Sequence, residues 1–205
     1  MKKINIHIVW SLLLVLFSTS CLDIQDSYDY EPSDLDNNLY MNTWKYICQE
    51  DTLSMLQESI EILGMEEFYT QTENEYTYAL MNNKAFTNTS DGVLKTLDIS
   101  SIADISADNA KKETLRNILL YHIIKGSYHG LGNLSYDAIS VITLWEDQMA
   151  VMTMKMYDVI DLKKYSSVTF NAAADNSKEV VAVTSNRIAT NGWVHIVANQ
   201  IIYKP

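Results

Sequence analysis

Few residues of this chain belong to the types that carry metal, acid–base or nucleophilic chemistry. The sequence holds 4 histidines and 2 cysteines among 205 residues. His7 falls in the apolar amino-terminal segment, which leaves His122, His129 and His195 for the rest of the chain. No pair of them has the i, i+3 or i+4 spacing of a helical zinc site, and no Cys-x-x-Cys occurs. We therefore expect no metal and no cofactor, although a site assembled across the fold stays open.

Signatures of catalytic loops are also missing from the sequence. The 6 glycines are scattered rather than gathered in a phosphate-binding loop, and no serine stands in a G-x-S-x-G motif. The 26 acidic residues are typical of a solvated acidic surface, and sequence spacing alone does not identify a glycosidase pair. A catalytic base needs a positioned partner, and none is identifiable for His195. We expect a protein that is not an enzyme. A cryptic hydrolase would instead show a deep pocket with convergent carboxylates or histidines.

The first 20 residues are typical of a secretory signal peptide. Lys2 and Lys3 precede an apolar run over residues 8–17, and small residues follow. The run has 10 residues, whereas a membrane-spanning helix needs about 20. We therefore predict a signal peptide over 1–20 rather than a spanning anchor.

Small residues lead directly into Cys21, in the order Ser18, Thr19, Ser20. This stretch resembles the lipobox of bacterial lipoproteins of the Bacteroidetes type, with Ser18 where leucine is usual. The resemblance implies cleavage between Ser20 and Cys21 and acylation of Cys21, with palmitate as one acyl group. It also implies attachment to the outer membrane, on its periplasmic or surface-exposed face. Ordinary cleavage with Cys21 as a bystander is the alternative.

Acidic residues dominate the segment that follows. Residues 22–40 contain six acids and no base, so we predict an acidic flexible tether over 21–40. Without the two signal lysines, 13 basic residues face 26 acids and the net charge is −13. Such a charge argues against nucleic acid as a partner, because phosphates are repelled. The remaining residues, 41–205, suffice for a single domain with its own core.

Two segments of the first half have helical periodicity. Residues 52–64 carry an apolar stripe, with Thr52 available as N-cap and Gly64 as the end. An earlier patch of Trp44, Ile47 and Cys48 at the same spacing predicts Cys48 as a small core residue. The second helix, over 107–124, presents a face made of Leu115, Ile118, Leu119 and His122.

Strand patterns gather in the second half. Residues 148–157, 166–174 and 178–185 are β-rich, and an earlier strand over 75–81 runs into an Asn-Asn turn. Asn191 and Gly192 predict a type I′ hairpin turn between two apolar segments. On the returning strand, His195 shares a face with Trp193 and Val197. Helices followed by antiparallel strands indicate an α+β fold.

Three stretches in this order are similar to the motifs of the fasciclin (FAS1) domain. They are a strand with Thr77 that leads to Ala85 and Phe86, the pair Tyr121–His122 followed by a glycine, and the closing turn Asn191–Gly192 with His195. Met81 and Leu80 depart from the proline and the small residue usual in the first motif. The resemblance spans residues 41–205 and implies a wedge of antiparallel strands with helices packed on it.

The resemblance also implies a role in extracellular adhesion or protein–protein binding, without general catalytic activity. In animal relatives, segments near the Tyr-His motif bear on adhesion, which singles out Tyr121 and His122. Since His122 lies on an apolar helix face, we instead expect it to be buried and hydrogen-bonded. His195, in a hairpin that the fold needs, is expected to be structural as well.

We therefore expect a lipid-anchored cell-envelope module that binds another envelope or extracellular protein. The alternative is a carbohydrate-binding accessory lipoprotein of a glycan-uptake system, because 13 tyrosines and 4 tryptophans could stack on sugars. An exposed aromatic row would favour sugar, and a flat apolar patch would favour protein.

Overall fold

The structure, a computed structural model, describes residues 36–130, 132–145, 151–157, 167–171 and 178–203. The chain divides into two units, Met1–Asp36 and Asn37–Pro205, and the elements below all belong to the second. The predicted signal peptide, Cys21 and most of the predicted tether lie outside the described residues.

Short α-helices precede and surround the first strand. Their bounds are α1 Thr43–Gln49, α2 Ser54–Leu63, α3 Glu67–Thr70, α4 Asn83–Thr87, α5 Val93–Leu97 and α6 Asn109–Tyr121. Two 3₁₀ turns, Asp51–Leu53 and Ile102–Ala107, lie between them. Asparagine and aspartate side chains cap several helices, because their oxygens accept from first-turn amides. Asn42 caps α1 in this way, Asn82 caps α4 and Asp108 caps α6.

Of the two predicted ends of α2, the carboxy-terminal end is confirmed and the amino-terminal end is wrong. Gly64 ends the helix in the left-handed conformation, with φ 61°, as its sequence position predicts. Thr52 as N-cap is wrong, because Thr52 lies in the preceding 3₁₀ turn and Leu53 takes the cap position. Asn83 supplies the missing acceptor from another part of the chain, since its Oδ1 accepts from the Met55 amide at 3.0 Å.

Seven strands form one mixed sheet within the described part of the chain. They are β1 Tyr76–Met81, β2 Ile123–Lys125, β3 Ile139–Ile142, β4 Val151–Tyr157, β5 Ser167–Phe170, β6 Val180–Ala189 and β7 Gly192–Val197. Their spatial order is β2-β1-β7-β6-β5-β4-β3. All neighbouring strands are antiparallel except β1 and β7, which run parallel from Tyr76 opposite Gly192 to Met81 opposite Val197. The α+β class is confirmed, and the parallel pairing of β1 with β7 makes the expected antiparallel sheet a mixed one.

The two ends of this sheet order meet. Ile124 of β2 forms an antiparallel bridge with Thr143, which directly follows β3. The Leu144 amide donates to the Ile123 carbonyl oxygen at 2.8 Å. These two contacts pair part of the edge of β2 that would otherwise be open to another chain.

The closing hairpin exists, but its turn differs from the prediction. Ala189 pairs with Gly192, so the two loop residues are Thr190 and Asn191 rather than Asn191 and Gly192. Gly192 has φ 149° and belongs to β7, and Asn191 does not adopt a positive φ. The type I′ prediction is therefore wrong. The Asn191 side chain is occupied elsewhere in the fold.

The folded unit begins earlier than Met41. Asn38 forms a parallel bridge with Ile188 of β6, and the Leu39 amide donates to the Ile188 carbonyl oxygen at 2.8 Å. The Thr190 amide donates to the carbonyl oxygen of Met41 at 2.9 Å. Residues 37–39, which belong to the predicted tether over 21–40, are thus paired with β6.

The hydrophobic core lies between the helices and the sheet. Ile47 of α1 and Leu56 and Ile60 of α2 are at most 2% exposed. Cys48 as a core residue is wrong, because its side chain is exposed. In the seven-residue α1 only the side chains of Thr43 and Ile47 are buried, and these two residues lie one helical turn apart.

Candidate functional site

His195 lies fully buried in the middle of β7. Its Nε2 is 3.0 Å from the Tyr128 carbonyl oxygen, and its Nδ1 accepts from the Asn186 amide at 3.2 Å. An accepting Nδ1 leaves the proton on Nε2, which donates to Tyr128. Burial lowers the pKa of His195 to about 4, so the ring is neutral at pH 7.

A bulge in β6 makes this arrangement fit. The register of β6 against β7 shifts between Thr184 and Arg187, and Asn186 there adopts φ 60°. The bulge turns the Asn186 amide towards His195, and its Oδ1 accepts from the Gly130 amide at 2.7 Å. Asparagine is the non-glycine residue best suited to that conformation.

His122 ends helix α6 in a similar state. Its Nδ1 is 2.8 Å from the Ile118 carbonyl oxygen, and its Nε2 accepts from the Ile201 amide at 3.1 Å. The proton therefore lies on Nδ1, the reverse of the His195 tautomer. The residue is 3% exposed, and burial lowers its pKa to about 4.

Thr77 and His195 fix the same loop. The Thr77 hydroxyl donates to the Gly126 carbonyl oxygen and accepts from the Tyr128 amide, both at 2.8 Å. His195 binds the carbonyl of Tyr128. The first and third sequence motifs therefore meet at the segment that follows the second.

Asn191 uses its whole amide inside the fold. Its Oδ1 accepts from the Thr43 amide at 2.8 Å and from the Thr43 hydroxyl at 2.9 Å. Its Nδ2 donates to the Tyr69 carbonyl oxygen at 2.8 Å and to the Tyr78 hydroxyl at 3.1 Å. This side chain joins α1, α3 and β1 to the closing hairpin.

Gly192 is required by a close backbone approach. A Cβ at this position would lie 2.1 Å from the Tyr76 carbonyl oxygen. Ala85 and Phe86, the other predicted motif residues, are fully buried in α4. None of these three residues presents a reactive side-chain group to solvent.

His129 lies outside the predicted set. Its ring stacks on the Trp193 indole, with centroids 3.8 Å apart and planes 12° apart. Burial lowers the pKa of His129, and its Nδ1 is buried without a hydrogen-bond partner in the described residues. It makes no contact that joins it to His122 or to a carboxylate within the described part of the chain. The three histidines therefore do not form a catalytic set there.

An open groove lies between α6 and the carboxy-terminal segment, and we call it the Tyr121 groove. Its volume is about 260 Å³, and its lining residues are Thr96, Thr114, Asn117, Ile118, Tyr121, Trp145, Gln200, Ile201, Ile202 and Tyr203. Tyr121 is the one predicted motif residue that lines it. Burial and the neighbouring Tyr203 phenol raise the pKa of Tyr121 to about 12.

Sequence reasoning missed this groove. Its members come from α5, α6, the segment after β3 and residues 200–203, so no local spacing links them. The one sequence feature that could have indicated the groove is the presence of two aromatic residues, Trp145 and Tyr203, in stretches without a helix or strand pattern. A second cavity of about 310 Å³ adjoins the closing hairpin, between 72–75 and 188–193, with Ser127 in its lining.

Neither a metal site nor a membrane span is found in the part of the chain that the structure describes. No group of three or more histidine, cysteine or carboxylate side chains there is arranged to hold a metal ion. Among the same residues, no helix has the length and apolar character to cross a membrane.

The chain matches one known domain family and is similar to a solved structure. The family model of the Fasciclin domain matches residues 51–203. No curated protein matches the chain. Among solved structures, the chain is similar to the FAS1 domain pair of the insect cell adhesion molecule fasciclin I, with 12% identity and a TM-score of 0.56. The match covers 80% of this chain and 51% of that one, so this chain spans about half the length of the insect pair.

Proposed function

Because the chain belongs to the Fasciclin domain family, we propose that it is a non-catalytic module of the cell envelope that binds another protein. Fasciclin domains are in general adhesion and protein-interaction modules. The solved relative is named as a domain pair from an insect cell adhesion molecule. An adhesive role for this chain is the inference that we draw from that likeness.

The observation that carries the proposal is the use of the motif histidines. His122 and His195 each bind two backbone groups through their two ring nitrogens. A ring so engaged, and held neutral by burial, has no nitrogen left for a substrate proton. The two motif histidines therefore stabilise the fold of the domain, and we infer that a partner binds to other residues on its surface.

An outward face of the sheet is the surface that suits a protein partner. Val181 and Val183 lie two residues apart on β6 and are 39% and 60% exposed, and Ile142 of β3 is 61% exposed. Strand pairing places Ile142 level with Val151 and Val181 level with Thr169, on the same side as Lys155. Contiguous exposed apolar patches mark contact surfaces, and we infer that Val181 and Val183 belong to one.

Crosslinking on intact cells tests this proposal. Cells that produce the full chain are treated with a surface crosslinker, and captured proteins are compared between wild type, Val183→Lys and Tyr40→Lys. Tyr40 is 78% exposed and lies beside the other end of β6, so it controls for the added charge. We expect Val183→Lys to lose a specific partner that Tyr40→Lys retains. The same partner captured equally by both variants would contradict this surface.

We also propose that Cys21 carries the lipid and that the module is attached to the outer membrane. The lipobox-like stretch before Cys21 and the acidic segment after it support this attachment. Protease shaving of intact cells separates the two faces of the membrane. Loss of the protein during shaving indicates surface exposure, and survival until the cells are lysed indicates the periplasmic face.

A second candidate function, glycan binding, is favoured by the Tyr121 groove. Its aromatic and amide lining is suited to a sugar ring, whereas the β6 face suits a protein. The two surfaces involve different residues, so each function can be tested without the other.

A further inference from the structure

We propose that the Tyr121 groove binds one unit of a neutral saccharide. The inference deepens the second candidate function and rests on that function alone. It does not depend on the protein-binding face of β6.

Three aromatic rings form one wall of the groove. Tyr121, Trp145 and Tyr203 pack edge to face, with Trp145 and Tyr203 centroids 4.9 Å apart and the other two pairs 6.0 and 5.6 Å apart. Trp145 and Tyr203 are partly exposed and Tyr121 is buried behind them. Mutual packing fixes the rings, so little side-chain entropy is lost when a ligand stacks on them.

Polar groups of the groove are available for a ligand. Gln200 is 6% exposed; its Oε1 accepts from the Thr96 hydroxyl at 3.2 Å, and its Nε2 has no partner in the described residues. The Asn117 amide and the Trp145 indole N–H likewise form no hydrogen bond there. Together they offer donors and an acceptor to vicinal hydroxyl groups.

Among the described residues, the lining contains no aspartate, glutamate, lysine or arginine. An ion or a phosphorylated ligand would find no counter-charge in it, which favours a neutral ligand. The volume of about 260 Å³ lies just below the range of about 300–1,000 Å³ for drug-sized ligands. A single sugar ring with its neighbours in solvent fits that size.

An apolar occupant suits the groove less well. It would cover the Gln200 and Asn117 amides without replacing the hydrogen bonds that water makes to them. An amide buried without a hydrogen-bond partner disfavours such an occupant. Sugar hydroxyls pair with these amides, while the apolar face of the ring covers the aromatic wall.

The floor of the groove is held in place by buried bonds. The Ile201 amide donates to His122, and the Ile202 carbonyl accepts from Asn171 Nδ2 at 3.1 Å. The motif residue His122 therefore supports the floor of the groove and is not itself among the lining residues. A preformed groove favours binding because less ordering is required.

Binding is tested on the purified protein with neutral trisaccharides of glucose, galactose or mannose. Saturation-transfer NMR and indole fluorescence provide the readouts. We expect at least one trisaccharide to bind, with Trp145→Ala weakening binding about tenfold or more. Asn117 is a partly exposed helix residue, so Asn117→Ala should keep the fold and weaken binding about threefold to tenfold. Tyr136→Ala, which removes an exposed ring outside the groove, should leave binding unchanged.

Three results would overturn the proposal. The first is that none of the trisaccharides binds at concentrations up to about 10 mM. The second is binding that survives both Trp145→Ala and Asn117→Ala in folded protein. The third is perturbation of the groove by a short apolar peptide while every sugar leaves it unchanged. Val183→Lys should bind the sugar normally, which separates a failure here from a failure of the protein-binding face.

Discussion

The two motif histidines act as neutral hydrogen-bonding groups. Each ring donates one hydrogen bond to a backbone carbonyl and accepts one from a backbone amide. The tautomers of His122 and His195 are opposite. Protonation would place a second N–H against an amide donor and add a charge in the core. The fold is therefore linked to pH through these rings.

Stability should fall as the pH drops below the ordinary histidine range. The folded pKa of His122 and of His195 is about 4, below the unfolded value of about 6.5, so the unfolded chain binds more protons between these pH values. The stabilisation is complete above the unfolded pKa and is lost as pH falls through this window, by up to about 3 kcal/mol per histidine. Urea unfolding at pH 7.0, 6.0 and 5.0 measures it. Equal stability at all three pH values would contradict the linkage.

Replacing His122 should affect stability before it affects binding. His122→Ala leaves the Ile201 amide and the Ile118 carbonyl without their partner and opens a cavity, at a cost of about 3 kcal/mol. His129→Ala is the matched control, with a smaller cost expected because His129 is only partly buried and its Nδ1 has no partner in the described residues. Thermal melting gives the comparison. A His122→Ala protein that melts like wild type while losing adhesion would instead support a direct contact role.

At the scale of elements, the closing hairpin joins the sheet to the helices. Strand β7 lies between β1 and β6, and the Asn191 side chain at its start reaches α1 and α3. The parallel pairing of β1 with β7 starts at Tyr76 opposite Gly192. A change at Gly192 therefore acts on the sheet and on the helix layer together.

Gly192→Ala should be severely destabilising. Its Cβ would overlap the Tyr76 carbonyl oxygen at 2.1 Å, and φ 149° is strained for any other residue. We expect a loss of more than about 3 kcal/mol or failure to fold. Gly64→Ala is the matched control, because its φ is 61° but nothing lies within 4 Å of the new Cβ. Its cost should be about 1–2 kcal/mol, the cost of a left-handed residue. Similar denaturation midpoints for the two variants would show that the β1 contact is unimportant.

Local patterns predicted elements better than their ends. The apolar stripe predicted α2 and the left-handed Gly64 that ends it, and the paired apolar runs predicted the hairpin. The N-cap of α2 could not be predicted locally, because its acceptor comes from Asn83, 28 residues away from Met55. The hairpin turn was assigned one residue late because Asn191 is used for tertiary bonds. The three-residue β2 is too short for a periodic pattern to reveal.

The candidate sites show the same limit. Burial of His122 followed from its place on an apolar helix face, but the ring partners of both histidines are distant in sequence. The Tyr121 groove joins residues 96 to 203, so only the fold brings them together. For Cys48 the local pattern was misleading. Helical spacing predicted a buried side chain, but in the seven-residue α1 this side chain is exposed.

At the scale of the whole molecule, the chain begins its folded unit by pairing with its own last hairpin. Residues 37–41 bind β6 and the hairpin loop, and the bridge between Ile124 and Thr143 joins the two ends of the sheet order. Beyond that single bridge, β3 pairs only with β4 among the described residues. The proposed partner contacts use side chains of the sheet face and of the groove.

Attachment to the membrane gives the last prediction. With the predicted signal removed, the net charge would be −13 and anionic lipid would repel the chain, so the proposed membrane location depends on covalent lipid. We expect Cys21→Ala to abolish incorporation of labelled palmitate and to release the protein from the membrane fraction. Cys48→Ala removes the other cysteine, which is exposed and thus a fair control, and should keep both label and membrane location. Unchanged labelling of Cys21→Ala would refute lipid attachment at Cys21. Loss of label only in Cys48→Ala would show that Cys48 carries the acyl group instead.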